Sequence, residues 1–146
     1  MRRSLGSTAL VAAQFVLLSV LAVLAPWPAL GPWRIALFLA ALVLVAWAMR
    51  VMDPATFSVF PEPRPGGTLV LRGPYRLVRH PMYLAVLMAA VALGSAPPPG
   101  AHTLCAVLLL PVIVAKVLRE EKALDLRYPE RAERMRRVPR LLPGLW

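Results

Sequence analysis

Four apolar stretches follow one another along the chain, separated by segments rich in proline, glycine or basic residues. They cover residues 7–25, 35–49, 82–96 and 101–115. A membrane-spanning helix needs about 20 predominantly apolar residues. The last three stretches are shorter, but long basic side chains at their ends extend their reach. The pattern therefore predicts an all-α integral membrane protein with about four transmembrane or hairpin helices.

The third and fourth stretches are joined by the sequence APPPG, which predicts a compact turn because proline ends a helix. Whether these two helices cross the membrane fully or form a shallow hairpin stays open. The fourth stretch ends at Lys116 and continues into a strongly charged sequence. That sequence predicts a C-terminal amphipathic helix on the cytoplasmic side.

Charge is distributed unevenly between the two sides that the four helices define. Of the 17 lysine and arginine residues, only Arg34 lies on the second side. Basic loops mark the cytoplasmic side of a membrane protein. We therefore expect a multi-pass protein whose N- and C-termini are both cytoplasmic. This asymmetry explains the net charge of +10 by contact with membrane lipids, without nucleic acid.

The length of 146 residues indicates one membrane-embedded domain, residues 1–146. Residues 1–52 hold two N-terminal spans, the first of which we interpret as a retained span and not as a cleaved signal peptide. Residues 66–143 hold the motifs that carry chemistry. Cys105 is the only cysteine, so no intrachain disulfide and no cysteine cluster for a metal is predicted.

The first motif, RGPYRLVRHPMYL, places basic and aromatic residues directly before the third apolar stretch. Pro81 suits the first position of a helix, which makes His80 the expected N-cap. Tyr83 follows about one turn later, so it and His80 are expected to face the same way. The free amides of such a helix start favour an anion. The alternative is that these are ordinary interfacial residues that bind lipid headgroups.

The second motif, KVLREEKALDLRYPE, continues the fourth apolar stretch. Lys116 and Glu120 are four residues apart and share a helix face. Glu120 and Glu121 are adjacent, so they point about 100° apart and only one of them faces a site well. The alternative is a solvated helix with surface ion pairs, followed by a basic tail over residues 131–140 that lies on anionic lipid.

Together and in this order, the two motifs resemble the isoprenylcysteine carboxyl methyltransferases and the related phospholipid N-methyltransferases. The resemblance implies an S-adenosylmethionine-dependent methyltransferase with a cytoplasm-facing cofactor pocket. It places Lys116 near the substrate and assigns no catalytic residue and no metal. The residues that it implies for binding the cofactor are Gly67, Thr68, Leu69, Val70, Tyr75, His80, Pro81, Met82, Tyr83 and Glu120.

The implied acceptor is lipophilic: an isoprenoid or prenylated thiol or carboxylate, or a lipid amine. Ala132 and Met135 stand where the family often has two tyrosines, and Lys116 where it tends to have arginine. These departures leave open a catalytically inactive membrane scaffold. A small transporter is a further alternative, which is disfavoured because the interiors of the four stretches contain no Asp, Glu, Lys or Arg.

Overall fold

The computed structural model describes residues 4–142, without the side chain of Ala132. Four main helices and one short one follow in order: α1 (Leu5–Leu24), α2 (Pro32–Val51), α3 (Pro81–Gly94), α4 (Ala101–Arg127) and α5 (Arg131–Arg134). No strand occurs within residues 4–142. The predicted all-α membrane architecture is confirmed, and α1, α2 and α4 are each long and apolar enough to cross a membrane. The last position of the predicted region 66–143 lies outside the described residues.

The helix starts follow the local sequence. The Ser4 hydroxyl accepts a hydrogen bond from the backbone N–H of Ser7 and so caps α1. Proline occupies the first turn of both α2 and α3, where its missing N–H leaves no helical bond unmade. The fourth apolar stretch and the charged sequence after it form one continuous helix, α4, so the charged part is a direct extension of a membrane segment.

Helix α3 lies between α2 and α4, and α1 packs along α4. At their common end, Leu21 of α1, Leu93 of α3 and Leu109 of α4 belong to one buried cluster. Gly94 lets α3 and α4 approach closely, because a β-carbon there would lie only 2.2 Å from the Ala106 side chain. The outward faces of α1 and α2 carry exposed large apolar residues, as expected of surfaces in contact with lipid.

One end of the helix bundle carries most of the polar structure, and we call it the basic end. It contains Ser4 at the start of α1, Met52 after α2, His80 before α3 and the charged half of α4. The connection over residues 52–80 is irregular and folds over this end. It includes the predicted turn at Gly73, whose positive φ of 59° favours glycine.

Candidate active site

A cavity of about 360 Å³ lies at the basic end and is lined by all four main helices and the 52–80 connection. Its volume falls within the range of small-molecule sites. Every residue that the sequence implied for the cofactor, and Lys116 as well, contributes to this wall. The structure therefore brings the two sequence motifs together around one space.

The segment Gly67 to Val70 forms one wall and is fixed from two sides. The Thr68 N–H donates to the Thr56 hydroxyl over 3.0 Å. The Tyr128 hydroxyl, just beyond α4, donates to the backbone carbonyl of Gly67. The segment is thereby connected both to Thr56, earlier in the 52–80 connection, and to Tyr128 at the end of α4.

Glu120 presents its carboxylate to the cavity, and its side chain is 28% exposed. It lies 3.8 Å from Nδ1 of His80 and interacts with the hydroxyl of Tyr83. The rings of His80 and Tyr83 stack with centroids 5.7 Å apart, which confirms that they face the same way. Burial, together with the negative charge of Glu120, raises the pKa of the Tyr75 hydroxyl. Tyr75 therefore stays protonated and able to donate a hydrogen bond.

His80 occupies the N-cap position of α3, as predicted, but its ring makes no capping hydrogen bond to that helix. Instead Nε2 donates to the Glu121 carboxylate over 3.1 Å, and Nδ1 faces Glu120. Both ring nitrogens of His80 therefore already face carboxylates of the protein. Its position suits it to orient those two glutamates.

Glu121 is buried and does not line the cavity. Its carboxylate accepts hydrogen bonds from Arg131 at 2.6 Å, from Arg140 at 2.7 Å and from Arg79 at 3.3 Å. Charge-assisted bonds of this kind are among the stronger ones in proteins. Glu121 therefore joins three parts of the chain: the segment before α3, helix α4 and the C-terminal tail.

The C-terminal tail folds back along the start of α3. Arg79 and His80 donate backbone hydrogen bonds to the carbonyls of Pro139 and Arg140, at 2.8 and 3.1 Å. Arg131 is 1% exposed and also pairs with Asp125 at 2.7 Å. The alternative of a basic tail lying on lipid over residues 131–140 is wrong for Arg131, whose buried guanidinium pairs with Glu121. Arg140 also pairs with Glu121, while its side chain stays 37% exposed.

Lys116 is also buried, at 1% exposure. Its ammonium donates to the Gln14 side chain over 2.6 Å and to the carbonyl of Val59 over 3.0 Å. It also lies 5.1 Å from the centre of the Tyr83 ring, a distance at which a cation is attracted to an aromatic face. Helix α1 thus takes part in the site through Gln14.

Two buried side-chain atoms within residues 4–142 lack a hydrogen-bond partner there, Oε2 of Glu62 and Nε of Arg131. Both residues line the cavity. The other carboxylate oxygen of Glu62 accepts a hydrogen bond from the Ser7 hydroxyl at the start of α1.

Sequence reasoning did not find Gln14, Glu62 or the buried role of Arg131. Gln14 carried a signal, since it is the most polar residue of the first apolar stretch. Glu62 lies in the proline-rich sequence FPEPRPGG, where nothing distinguishes it from a solvated loop residue.

The family model of phospholipid methyltransferases matches residues 30–131, which hold α2, α3, α4 and most of the cavity wall. The chain belongs to this family. The resemblance found in the sequence is thereby confirmed, and it agrees with an integral membrane protein of methyltransferase type.

A curated relative from Cupriavidus metallidurans, named cobalt-zinc-cadmium resistance protein CzcN, is 32% identical to the chain over 136 residues. The aligned region covers 92% of this chain and 62% of the relative, so the chain spans about three-fifths of that protein's length. No solved structure matches the chain.

Proposed function

We propose that this phospholipid methyltransferase family member transfers a methyl group from S-adenosylmethionine to a lipophilic acceptor at the cytoplasmic face of the membrane. The observation that carries the proposal is the composition of the cavity wall. It combines the polar motif residues of α3 and α4 with apolar residues of the membrane helices α1 and α2. A charged, water-soluble donor and an apolar acceptor both find a matching surface there.

The residues on the cofactor side fit the chemistry of S-adenosylmethionine, which supplies an activated methyl group when bound. Glu120 is accessible from the cavity and suits the ammonium group or the ribose hydroxyls. The backbone of residues 67–70 and the hydroxyl of Tyr75 offer further polar contacts. The start of α3 offers free amides for a carboxylate. In this proposal His80 acts through the two glutamates that it orients.

The acceptor side is apolar. Phe15 and Leu18 of α1 and Val45 of α2 line the cavity, and the Phe15 ring is half exposed on the lipid-facing surface. An acceptor dissolved in the bilayer would therefore reach the site from the membrane. Candidate acceptors are an isoprenoid or prenylated thiol or carboxylate, or a lipid amine. Lys116 lies next to this region and is proposed to contact the acceptor.

Methyl transfer is an in-line displacement, which requires orientation of the two reactants and exclusion of water. The protein needs no covalent nucleophile for it. The Tyr83 ring stacks on His80 and lies next to the Lys116 ammonium. These two contacts give the cavity a fixed aromatic wall. The buried ion pairs of Glu121 hold the tail in place and so help to keep this wall closed to water.

The proposal assigns no metal. Within residues 4–142 no group of three or more His, Cys, Asp or Glu side chains is arranged to hold a metal ion.

The test is to incubate detergent-solubilised protein with methyl-labelled S-adenosylmethionine and the total lipid extract of the expression host. Transfer of the label to a lipid-soluble product is expected, and identification of that product names the acceptor. Cofactor binding without transfer to any lipid would instead support an inactive scaffold. Absence of both binding and transfer would contradict the methyltransferase proposal and leave a transporter of the same architecture.

A further inference from the structure

Glu62 offers a carboxylate oxygen that the described part of the protein leaves unpaired. One oxygen, Oε1, accepts a hydrogen bond from Ser7. The other, Oε2, is buried and has no partner within residues 4–142. The residue lines the cavity.

A buried carboxylate oxygen without a hydrogen-bond donor is unfavourable, because its hydration has been lost without replacement. Most such groups in native proteins have a partner. The ammonium of Lys116, which lines the same cavity, is directed to Gln14 and to the carbonyl of Val59. The guanidinium of Arg119 is directed to the hydroxyls of Ser4 and Ser7. The unsatisfied oxygen therefore suits a donor that comes from a ligand.

We propose that Oε2 of Glu62 accepts a hydrogen bond from an N–H or O–H group of the molecule that occupies the cavity. Glu62 is then a second binding carboxylate beside Glu120, held in place by Ser7. The inference rests on the proposed methyltransferase function. Two bound molecules offer such donors under that function, the cofactor through its ammonium and ribose hydroxyls and the acceptor through its own protic group.

Glu62→Gln is the informative variant. The glutamine amide oxygen can still accept the hydrogen bond from Ser7, so the anchoring to α1 is kept while the charged acceptor is lost. Ser7→Ala is the matched control, because it removes the anchoring bond and leaves the carboxylate intact. A purely structural role for Glu62 would make Ser7→Ala the more harmful change.

The measurements use the full-length, detergent-solubilised protein. Calorimetry gives the Kd of S-adenosylmethionine, S-adenosylhomocysteine and 5′-methylthioadenosine, which keeps the ribose and lacks the amino-acid end. Label transfer to the host lipid extract is measured at saturating cofactor. Each reading is compared among wild type, Glu62→Gln and Ser7→Ala.

We expect Glu62→Gln to weaken one of these interactions by roughly tenfold or more, as for loss of a charge-assisted hydrogen bond. If S-adenosylmethionine and S-adenosylhomocysteine bind more weakly and 5′-methylthioadenosine does not, Glu62 contacts the cofactor's ammonium. If all three ligands bind more weakly, Glu62 contacts the ribose. If the three Kd values are unchanged and label transfer to lipid falls, Glu62 contacts the acceptor. Each of these supports the inference.

Values within twofold of wild type in every measurement would overturn the inference alone, since the wild type would still bind and transfer. A larger effect of Ser7→Ala than of Glu62→Gln would also overturn it. A wild type that binds none of the three ligands would overturn the proposed function and this inference with it.

Discussion

Glu120 and Glu121 are adjacent on α4, but their carboxylates lie in different environments. Glu120 lines the cavity and lies 3.8 Å from Nδ1 of His80. Glu121 lies behind it, 3.1 Å from Nε2 of the same ring, and is enclosed by guanidinium groups. One imidazole therefore separates a carboxylate available to a ligand from one that is used for folding.

Replacing Glu120 with glutamine is expected to weaken binding of S-adenosylmethionine. Loss of a charge-assisted hydrogen bond lowers affinity by roughly ten- to a hundredfold. Calorimetric Kd values for wild type and Glu120→Gln provide the check. An unchanged Kd would remove Glu120 from the proposed cofactor contacts.

Glu121→Gln is expected to act mainly on stability. Removing one partner of a buried ion-pair network costs about 3–5 kcal/mol, which corresponds to a clearly lower midpoint of thermal unfolding in detergent. Any change in cofactor Kd should be smaller than for Glu120→Gln once the variant is folded. A midpoint equal to that of wild type would show that the network contributes little.

Lys116 and Gln14 are expected to be energetically coupled. Gln14→Leu removes a hydrogen bond to a buried ammonium and should cost about 1–3 kcal/mol. In the double variant Gln14→Leu/Lys116→Met neither partner is left unpaired, so its loss of stability should be smaller than the sum of the two single losses. Additive losses, measured by thermal unfolding in detergent, would contradict this coupling.

Arg131→Met is expected to loosen the C-terminal tail from the start of α3. The amides of Arg79 and His80 donate to tail carbonyls, so their hydrogen exchange should become faster in this variant. The exposed Arg134, on the same short helix, provides the control through Arg134→Met. Equal exchange rates at both amides in the two variants would show that Arg131 does not hold the tail.

The orientation of the protein can be tested by cysteine labelling in intact cells. The native Cys105 is buried and should give a low background. With the basic end in the cytoplasm, a membrane-impermeant maleimide should label Pro99→Cys and not Leu126→Cys, two positions exposed at opposite ends of the bundle. The reverse labelling pattern would place both termini outside the cytoplasm.

The sequence predicted the helices well because each apolar stretch is bounded by prolines, glycines or charges. The residues that the resemblance implied for the cofactor also line one cavity, although they do not make up its whole wall. The sequence could not predict contacts that depend on folding between distant segments. Gln14 meets Lys116 across 102 positions, and Glu62 meets Ser7 across 55. Their local sequences contain nothing that specifies a partner.

The basic tail shows a second limit of sequence reasoning. Residues 131–140 carry a charge pattern typical of a lipid-facing segment. Whether such arginines meet lipid or protein depends on a carboxylate elsewhere in the fold. Glu121 is that carboxylate. Its burial depends on how the helices pack and cannot be read from the fact that it is a glutamate.

The shortness of α3 has a consequence for the surrounding bilayer. The helix has 14 residues against 20 in α2, and the hydrogen bond from Arg34 to the carbonyl of Ser95 ties its far end to the start of α2. At 1.5 Å per residue, its other end therefore stops about 9 Å short of the end of α2. The 52–80 connection fills this step, because Gly73 lies directly against the Val51 side chain at the end of α2. Protein backbone therefore takes the place of lipid beside the start of α3.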